Sequence, residues 1–300
     1  MIPNVIHFIF GLKENFGDID FSFIHYLAIK SAYECNHPES IKFYYKYEPK
    51  GPWWEKSKPY LTLIKIEPPK EIFGNPILYY AHQADVLRLE ILIKEGGIYL
   101  DMDVICLNSF GPLLQYDCVM GMEDIKGLSN AIILAKPNSP FLRKWYEGYR
   151  TFRSKGKDEF LVEHSVELPL KLAKENSHMI HIEDEFSFCW PPYFYTTGIL
   201  WDRPTGSIFD KFLFELKKTF SFNFLKSSYC IHLWESLWWD EYLKDISLES
   251  VMKSNDNFSK LCRNYLGTGN KFKENSFLSF ARPFLKKWIK HYLRYDLRKQ

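Results

Sequence analysis

The stretch "KEGGIYLDMDVIC" sets two carboxylates, Asp101 and Asp103, one residue apart at the end of an apolar run. Side chains alternate along a strand, so the two acids are expected on one face and Met102 on the other. Carboxylates this close repel unless a cation or water lies between them. Open α/β sheets bind ligands at the carboxyl ends of their strands, and a paired acid there suits a hard divalent cation held through oxygen. Taken alone, D-x-D is also the pattern of a turn in which an Asp caps the next element.

The flanks add chemistry. Asp85 and Arg88 are three residues apart and share one helix face, either as a local salt bridge or as part of a site. Their helix leads through Gly96-Gly97 straight into the strand ending at Asp101, so Asp85, Arg88, Asp101 and Asp103 can converge at one sheet edge. An arginine beside two acids and a metal suits a phosphorylated or polyhydroxylated ligand. Far downstream, "YCIHLW" offers His232, which reads either as a packed strand histidine or as a nitrogen ligand beside the carboxylates. His7, on the first strand, reads as buried and hydrogen-bonded.

These residues need a scaffold. "IPNVIHFIF" (2–10) predicts a buried strand ending at Gly11, and "DFSFIHYLAIKSAYEC" a helix stopped by His37-Pro38. "SIKFYYKY" and "LTLIKIEPP" predict two more strands. "PILYYAHQADVLRLEILIKEGG" predicts a helix stopped by its glycines. "IYLDMDVICL" reads as one strand; "CVMGME", "NAIILAKP", "MIHIE" and "YCIHLW" read as further short strands. Helices are expected after Pro140, around 160–175 and at 207–219, with an aromatic loop at "FSFCWPPYFY". Strands and helices alternating at these distances predict an α/β fold with a mostly parallel central sheet flanked by helices.

The bulk numbers bound the class. With 300 residues and 46 % hydrophobic content, the chain can bury one large core, and 18 % aromatics mark it as globular. A net charge of +2 gives no sign of nucleic-acid binding. None of the six cysteines forms a C-x-x-C pair, which argues against zinc and fits small core residues in a reducing compartment. The apolar N-terminus reads as a strand and not as a signal peptide, and no run reaches a membrane span.

The pattern Ala84-Asp85, Arg88, Leu92, Gly96-Gly97-Ile98-Tyr99-Leu100-Asp101 and Asp103 resembles the sugar-binding, D-x-D region of glycosyltransferase family 32, including its capsular-polysaccharide members. It is also similar to the alpha-1,4-galactosyltransferases and to the glucosylating domain of the large clostridial toxins. "IPNVIHFIFG" resembles the family's first strand, whose end lines the nucleotide base pocket, here Ile9 and Phe10. "HLWESLWW" resembles the C-terminal element that closes on the diphosphate. Ala84 stands where the family usually has a small hydroxyl residue.

The resemblance implies a GT-A glycosyltransferase domain over residues 1–265 that moves a hexose from a UDP- or GDP-sugar to a glycan, lipid-linked or protein acceptor, with retention. It implies manganese or magnesium held by Asp103, His232 and Asp101. Donor-binding roles fall to Ile9, Phe10, Asp85, Arg88, Tyr99, Asp101, Ser236 and Trp238, with Trp234 as a further part of the lid. Asp101, Asp103 and Asn130 take the catalytic positions, and Glu123 or Asn130 orients the sugar or acceptor. Asn130 reads equally as an amide ending a strand, and Trp238-Trp239 equally as core.

Two other functions share parts of this pattern. A nucleotidyltransferase also uses strand-end acids and metal, but it wants a Gly-rich phosphate loop that is missing near the first strand. A carbohydrate-binding scaffold is expected to have lost some of the acids, Arg88 or His232. Residues 266–300 read as a basic amphipathic helical tail. Nine Lys/Arg against Glu274 and Asp296 give residues 271–300 a net +7. Phe284, Leu285, Trp288, Ile289, Tyr292 and Tyr295 recur at helical spacing, so residues 283–298 suit either docking on the domain or peripheral contact with the cytoplasmic membrane face of a cytoplasmic enzyme.

Overall fold

The computed structural model describes residues 1–14, 20–123, 127–201, 225 and 227–266. The helix expected at 207–219 and, beyond Leu266, the basic tail lie outside the described residues.

The centre is a seven-stranded sheet in the order β10-β8-β9-β6-β1-β2-β3. Its strands are β1 (Val5–Phe10), β2 (Ser40–Tyr45), β3 (Thr62–Lys65), β6 (Gly97–Leu100), β8 (Cys118–Met122), β9 (Leu128–Ala135) and β10 (His181–Glu183), while β4 (Glu71–Ile72) and β5 (Asn75–Pro76) form a separate short hairpin. β1 pairs in parallel with both β2 and β6, as does β2 with β3 and β10 with β8. Only β9 runs antiparallel to its neighbours β6 and β8. The expected α/β class with a mostly parallel sheet is therefore what the chain forms.

Each face of the sheet is covered because its strands alternate. Ile6, Phe8, Ile98 and Leu100 pack on one face with Ile29 and Ala32 of α1 (Phe23–Asn36). Ile9, Tyr44 and Tyr99 pack on the other with Val86, Leu89 and Leu92 of α3 (Tyr80–Glu95) and Trp145 of α4 (Pro140–Gly148). The far side of α1, through Phe23, Leu27 and Ala28, buries Ile231, Leu233 and Phe258 of the C-terminal segment. A short helix, α2, spans Pro52–Ser57, and α5 (Leu168–Glu175) and α6 (Tyr193–Leu200) follow α4.

Strand order reverses between β1 and β6. The chain builds outward through β2 and β3, returns along α3, and inserts β6 on the other side of β1. Such a switch point opens a crevice at the carboxyl ends of the two strands, where β6 delivers Asp101. The return is tight. Gly96 ends α3 with φ 68° and donates its N–H to Leu92 O at 2.9 Å. Gly97 has φ 108°, and a Cβ there would lie 2.5 Å from Val5 O and 2.6 Å from His7 Nε2.

One expected element differs. "IYLDMDVICL" is two strands, not one: β6 stops at Leu100, and β7 (Val104–Cys106) leaves the central sheet to pair antiparallel with β11 (Cys230–His232). Asp101 N–H still bonds Ala131 O, but Val104 N–H turns back to Asp101 O at 3.1 Å. The chain turns at the acid pair, burying Met102 and Asp103 and leaving Asp101 part-exposed, and the buried carboxylate takes partners from β11 and the segment after it.

Candidate active site

The site is built from the carboxyl end of β6 and the turn after it, one face of α3, the start of β9 and the end of β11. The turn after β6 presents Asp101 and Asp103. Antiparallel pairing sets His232 opposite Val104, beside Asp103. His232 Nε2 lies 3.2 Å from Asp103 Oδ2, and the same oxygen accepts Glu235 N–H at 2.7 Å. Asp101, Asp103 and His232 each offer a ligand atom, all within 4.8 Å of one another.

Beneath this cluster Arg88 organises the acids. It is 5 % exposed, stacked 4.4 Å over the Tyr99 ring, and its guanidinium is shared among protein groups. Nε donates to Ala84 O at 3.2 Å, Nη1 to Asn130 O at 2.7 Å. Nη1 also lies 3.2 Å from Asp101 Oδ1, and Nη2 3.2 Å from Asp85 Oδ1. Tyr99 donates its hydroxyl to Asp101 Oδ1 at 2.6 Å, and the Asn130 amide donates to Asp85 Oδ1 at 2.7 Å. Tyr99 and Asn130 thus reach a ligand chiefly through the two acids they hold.

The charges are tuned unequally. Burial, with the neighbouring Asp103 charge, pushes the Asp101 carboxyl above its ordinary range, against the pull of Arg88. Burial pushes Asp103 the same way, but there the His232 cation and the Glu235 N–H outweigh it and hold the carboxyl low. For His232, burial favours the neutral ring, yet Asp103, Asp101 and Glu123 together raise its basicity. Two carboxylates and an imidazole form a suitable donor set for manganese or magnesium. The buried His232 Nδ1 has no protein partner among the described residues. The fit is therefore good in donor type and in spacing.

The structure thus brings Asp85, Arg88, Tyr99, Asp101, Asp103, Asn130 and His232 into one polar network. Ile9, Phe10, Ser236 and Trp238 lie outside it. Ile9 is core beneath α3. Phe10 closes β1 and meets Phe21 and His25 edge-on at 5.4 Å and 4.8 Å. Ser236 is exposed on the short helix Glu235–Trp238, while Trp238 packs inward with its indole N–H buried and without a partner among the described residues. Trp234 is buried, 4.2 Å from the His232 ring, and donates to Pro191 O at 3.4 Å.

Two participants escaped the sequence reading. His82 sits one turn before Asp85 on α3, a spacing that was legible. Glu235 acts through its backbone N–H, which carries no sequence signal.

Fold and site together define an α/β enzyme with a D-x-D acid pair at a sheet switch point. A family model described as "Glycosyltransferase sugar-binding region containing DXD motif" matches residues 29–120. "Glucan organizing enzyme 1" of Cryptococcus neoformans var. grubii is 35 % identical over 284 residues, covering 89 % of this chain and 71 % of its own length. "Inositol phosphoceramide mannosyltransferase 3" of Schizosaccharomyces pombe is 42 % identical over 64 residues, 21 % of this chain and 18 % of its own. Among solved structures, "PaToxG Glycosyltransferase" covers 91 % of this chain and 88 % of its own at 14 % identity and a TM-score of 0.42. The chain belongs to the family of glycosyltransferases whose sugar-binding region contains the D-x-D motif, and it is a glycosyltransferase.

Proposed function

We propose that the protein moves a hexose, with retention, from a UDP- or GDP-sugar to a glycan or lipid-linked acceptor, in the manner of a GT-A enzyme. The observation that carries the reading is the Asp101–Asp103–His232 cluster at the mouth of the β1/β6 crevice. A relative named for mannosyl transfer supports a hexose donor. Asp103 and His232, with Asp101, would hold manganese or magnesium. That ion supplies positive charge to a diphosphate leaving group as the glycosyl bond lengthens.

The chain's own residues do the rest. Arg88 fixes Asp101 and Asp85 rather than the phosphates, since its Nε and Nη1 donate to Ala84 O and Asn130 O while Nη1 and Nη2 lie 3.2 Å from the two carboxylates. Asp85 and Asn130 then present polar atoms to the sugar hydroxyls. Phe10, at the end of β1, offers a ring face to the base. Glu123 lies close enough to His232 to raise its basicity, on the side where sugar and acceptor would meet.

The test is nucleoside diphosphate release from a panel of UDP- and GDP-sugars, with and without manganese. One donor is expected to turn over in a metal-dependent way. Asp103→Asn should lower that turnover by ~100-fold or more, several kcal/mol of lost charge stabilisation. Full activity of Asp103→Asn, or no turnover and no nucleotide or manganese binding by wild type, overturns the reading.

A further inference from the structure

A second polar chain, outside the D-x-D motif, runs into the site from behind. After α4 the segment Arg153–Asp158 folds on itself: Asp158 Oδ2 accepts Lys155 N–H at 2.6 Å, and Oδ1 accepts Phe160 N–H at 3.0 Å and the Ser154 hydroxyl at 2.7 Å. Ser154 Oγ is 2.9 Å from His82 Nε2, and His82 Nδ1 is 3.3 Å from Asp85 Oδ2. His82 and Ser154 are each 2 % exposed, wedged beside Tyr79 and Phe152 with ring centroids 5.7 Å and 5.1 Å away.

Burying an imidazole, a hydroxyl and a carboxylate in a line is costly unless every contact is made. Ser154 Oγ, itself held by Asp158 Oδ1 at 2.7 Å and Gly156 O at 3.2 Å, and Asp85 Oδ2 bracket the His82 ring on its two nitrogens, so the ring ties the loop to the carboxylate. Asp85 Oδ1 is taken by Asn130 and Arg88. His82 therefore sets the rotation of the Asp85 carboxylate about its own axis, which Arg88 and Asn130 on one oxygen cannot do alone.

We infer that His82 is a positioning residue for the donor sugar, a strut through which the Ser154–Asp158 loop fixes Asp85 against the sugar hydroxyls. This rests on the proposed glycosyltransfer, and in particular on Asp85 meeting the sugar and not the nucleotide. A loop far from the diphosphate then tunes which hexose is accepted, without touching it.

The experiment compares nucleotide sugar with bare nucleotide. Dissociation constants of GDP-mannose and GDP, and of UDP-galactose and UDP, are measured by calorimetry with manganese for wild type, His82→Leu, His82→Asn and Ser154→Ala. His82→Leu is expected to weaken the nucleotide sugar ~10-fold while leaving the bare nucleotide unchanged, the loss of one charge-assisted hydrogen bond. His82→Asn, whose amide reaches the Nδ1 position, should recover most of that loss. If His82→Leu does not fold, Ser154→Ala reads the same strut one contact further out, with ~3-fold in the same direction. Equal weakening of sugar and bare nucleotide, or no change in either, overturns the inference. Wild type binding no nucleotide at all is a different result, which removes the proposed function and this inference with it.

Discussion

Asp103 Oδ2 and His232 Nε2 lie 3.2 Å apart, although one belongs to the turn after β6 and the other closes β11. Their meeting is a consequence of register. β7 leaves the main sheet at once and takes β11 as its antiparallel partner, with His232 opposite Val104. A one-residue slip would turn His232 to the other face of the ribbon. The same pairing brings Leu233 N–H to Asp103 O at 3.0 Å, so the backbone, not only the ion pair, pins the two strands at this point.

Arg88 is the next point at which the site can be tested. Its planar fork faces Asp85, Asp101 and the Asn130 carbonyl together, which a lysine ammonium cannot do. Arg88→Lys should remain folded and lose ~100-fold in turnover, because both acids drift from their set positions. Arg88→Ala should cost ~3 kcal/mol in urea unfolding, since it takes the cation from the buried Asp85 carboxylate and from the part-exposed Asp101. Activity near wild type in Arg88→Lys would refute the shared-fork role.

His7 predicts a pH dependence of stability. Its Nε2–H donates to Gly96 O at 2.8 Å and Nδ1 accepts from the Tyr44 hydroxyl at 3.2 Å, so the neutral ring is fully partnered. Burial lowers its pKa from 6.5 to about 4. The unfolded chain therefore takes up a proton that the folded chain refuses. Stability is complete above pH ~6.5 and is lost as pH falls towards ~4, by about 3 kcal/mol. Urea unfolding of wild type and His7→Gln between pH 7.5 and 4.5 checks this: the part of the slope due to His7 should vanish in the variant.

Much of this was legible in the sequence, and for physical reasons. Short continuous apolar runs in "VIHFIF" and "GIYL", bounded by glycines, marked the buried strands, and Gly96-Gly97 announced a backbone that must turn and approach closely. The i, i+3 pair Asp85 and Arg88 shares a helix face by geometry alone. What stayed hidden depends on contacts between distant segments. The break between β6 and β7 is fixed by the partner β11, which no local pattern names. The Trp234 indole N–H reaches Pro191 O across a long sequence separation, a contact that no local pattern names. The Ser154–His82 contact joins a loop to a helix through side chains that read as ordinary polar residues.

The last test concerns the segment after β11. Glu235 opens the short helix Glu235–Trp238 and does two things: its N–H caps Asp103 Oδ2 at 2.7 Å, and its carboxylate meets His25 Nε2 on α1 at 3.0 Å. The two roles can be separated because proline is tolerated in the first turn of a helix yet has no N–H to give. Glu235→Ala removes the bond to α1 and keeps the cap; Glu235→Pro removes both. Without the cap, the burial that pushes Asp103 up is opposed by His232 and fewer bonds, and the carboxylate is freer to leave its place beside Asp101. Manganese affinity, titrated by electron paramagnetic resonance, should fall ~10-fold in Glu235→Pro and only ~2-fold in Glu235→Ala, in proportion to one hydrogen bond to the buried Asp103 carboxylate against one part-exposed side-chain contact away from it. Equal affinities in the two variants would show that the backbone N–H does not hold Asp103 in its ligating position.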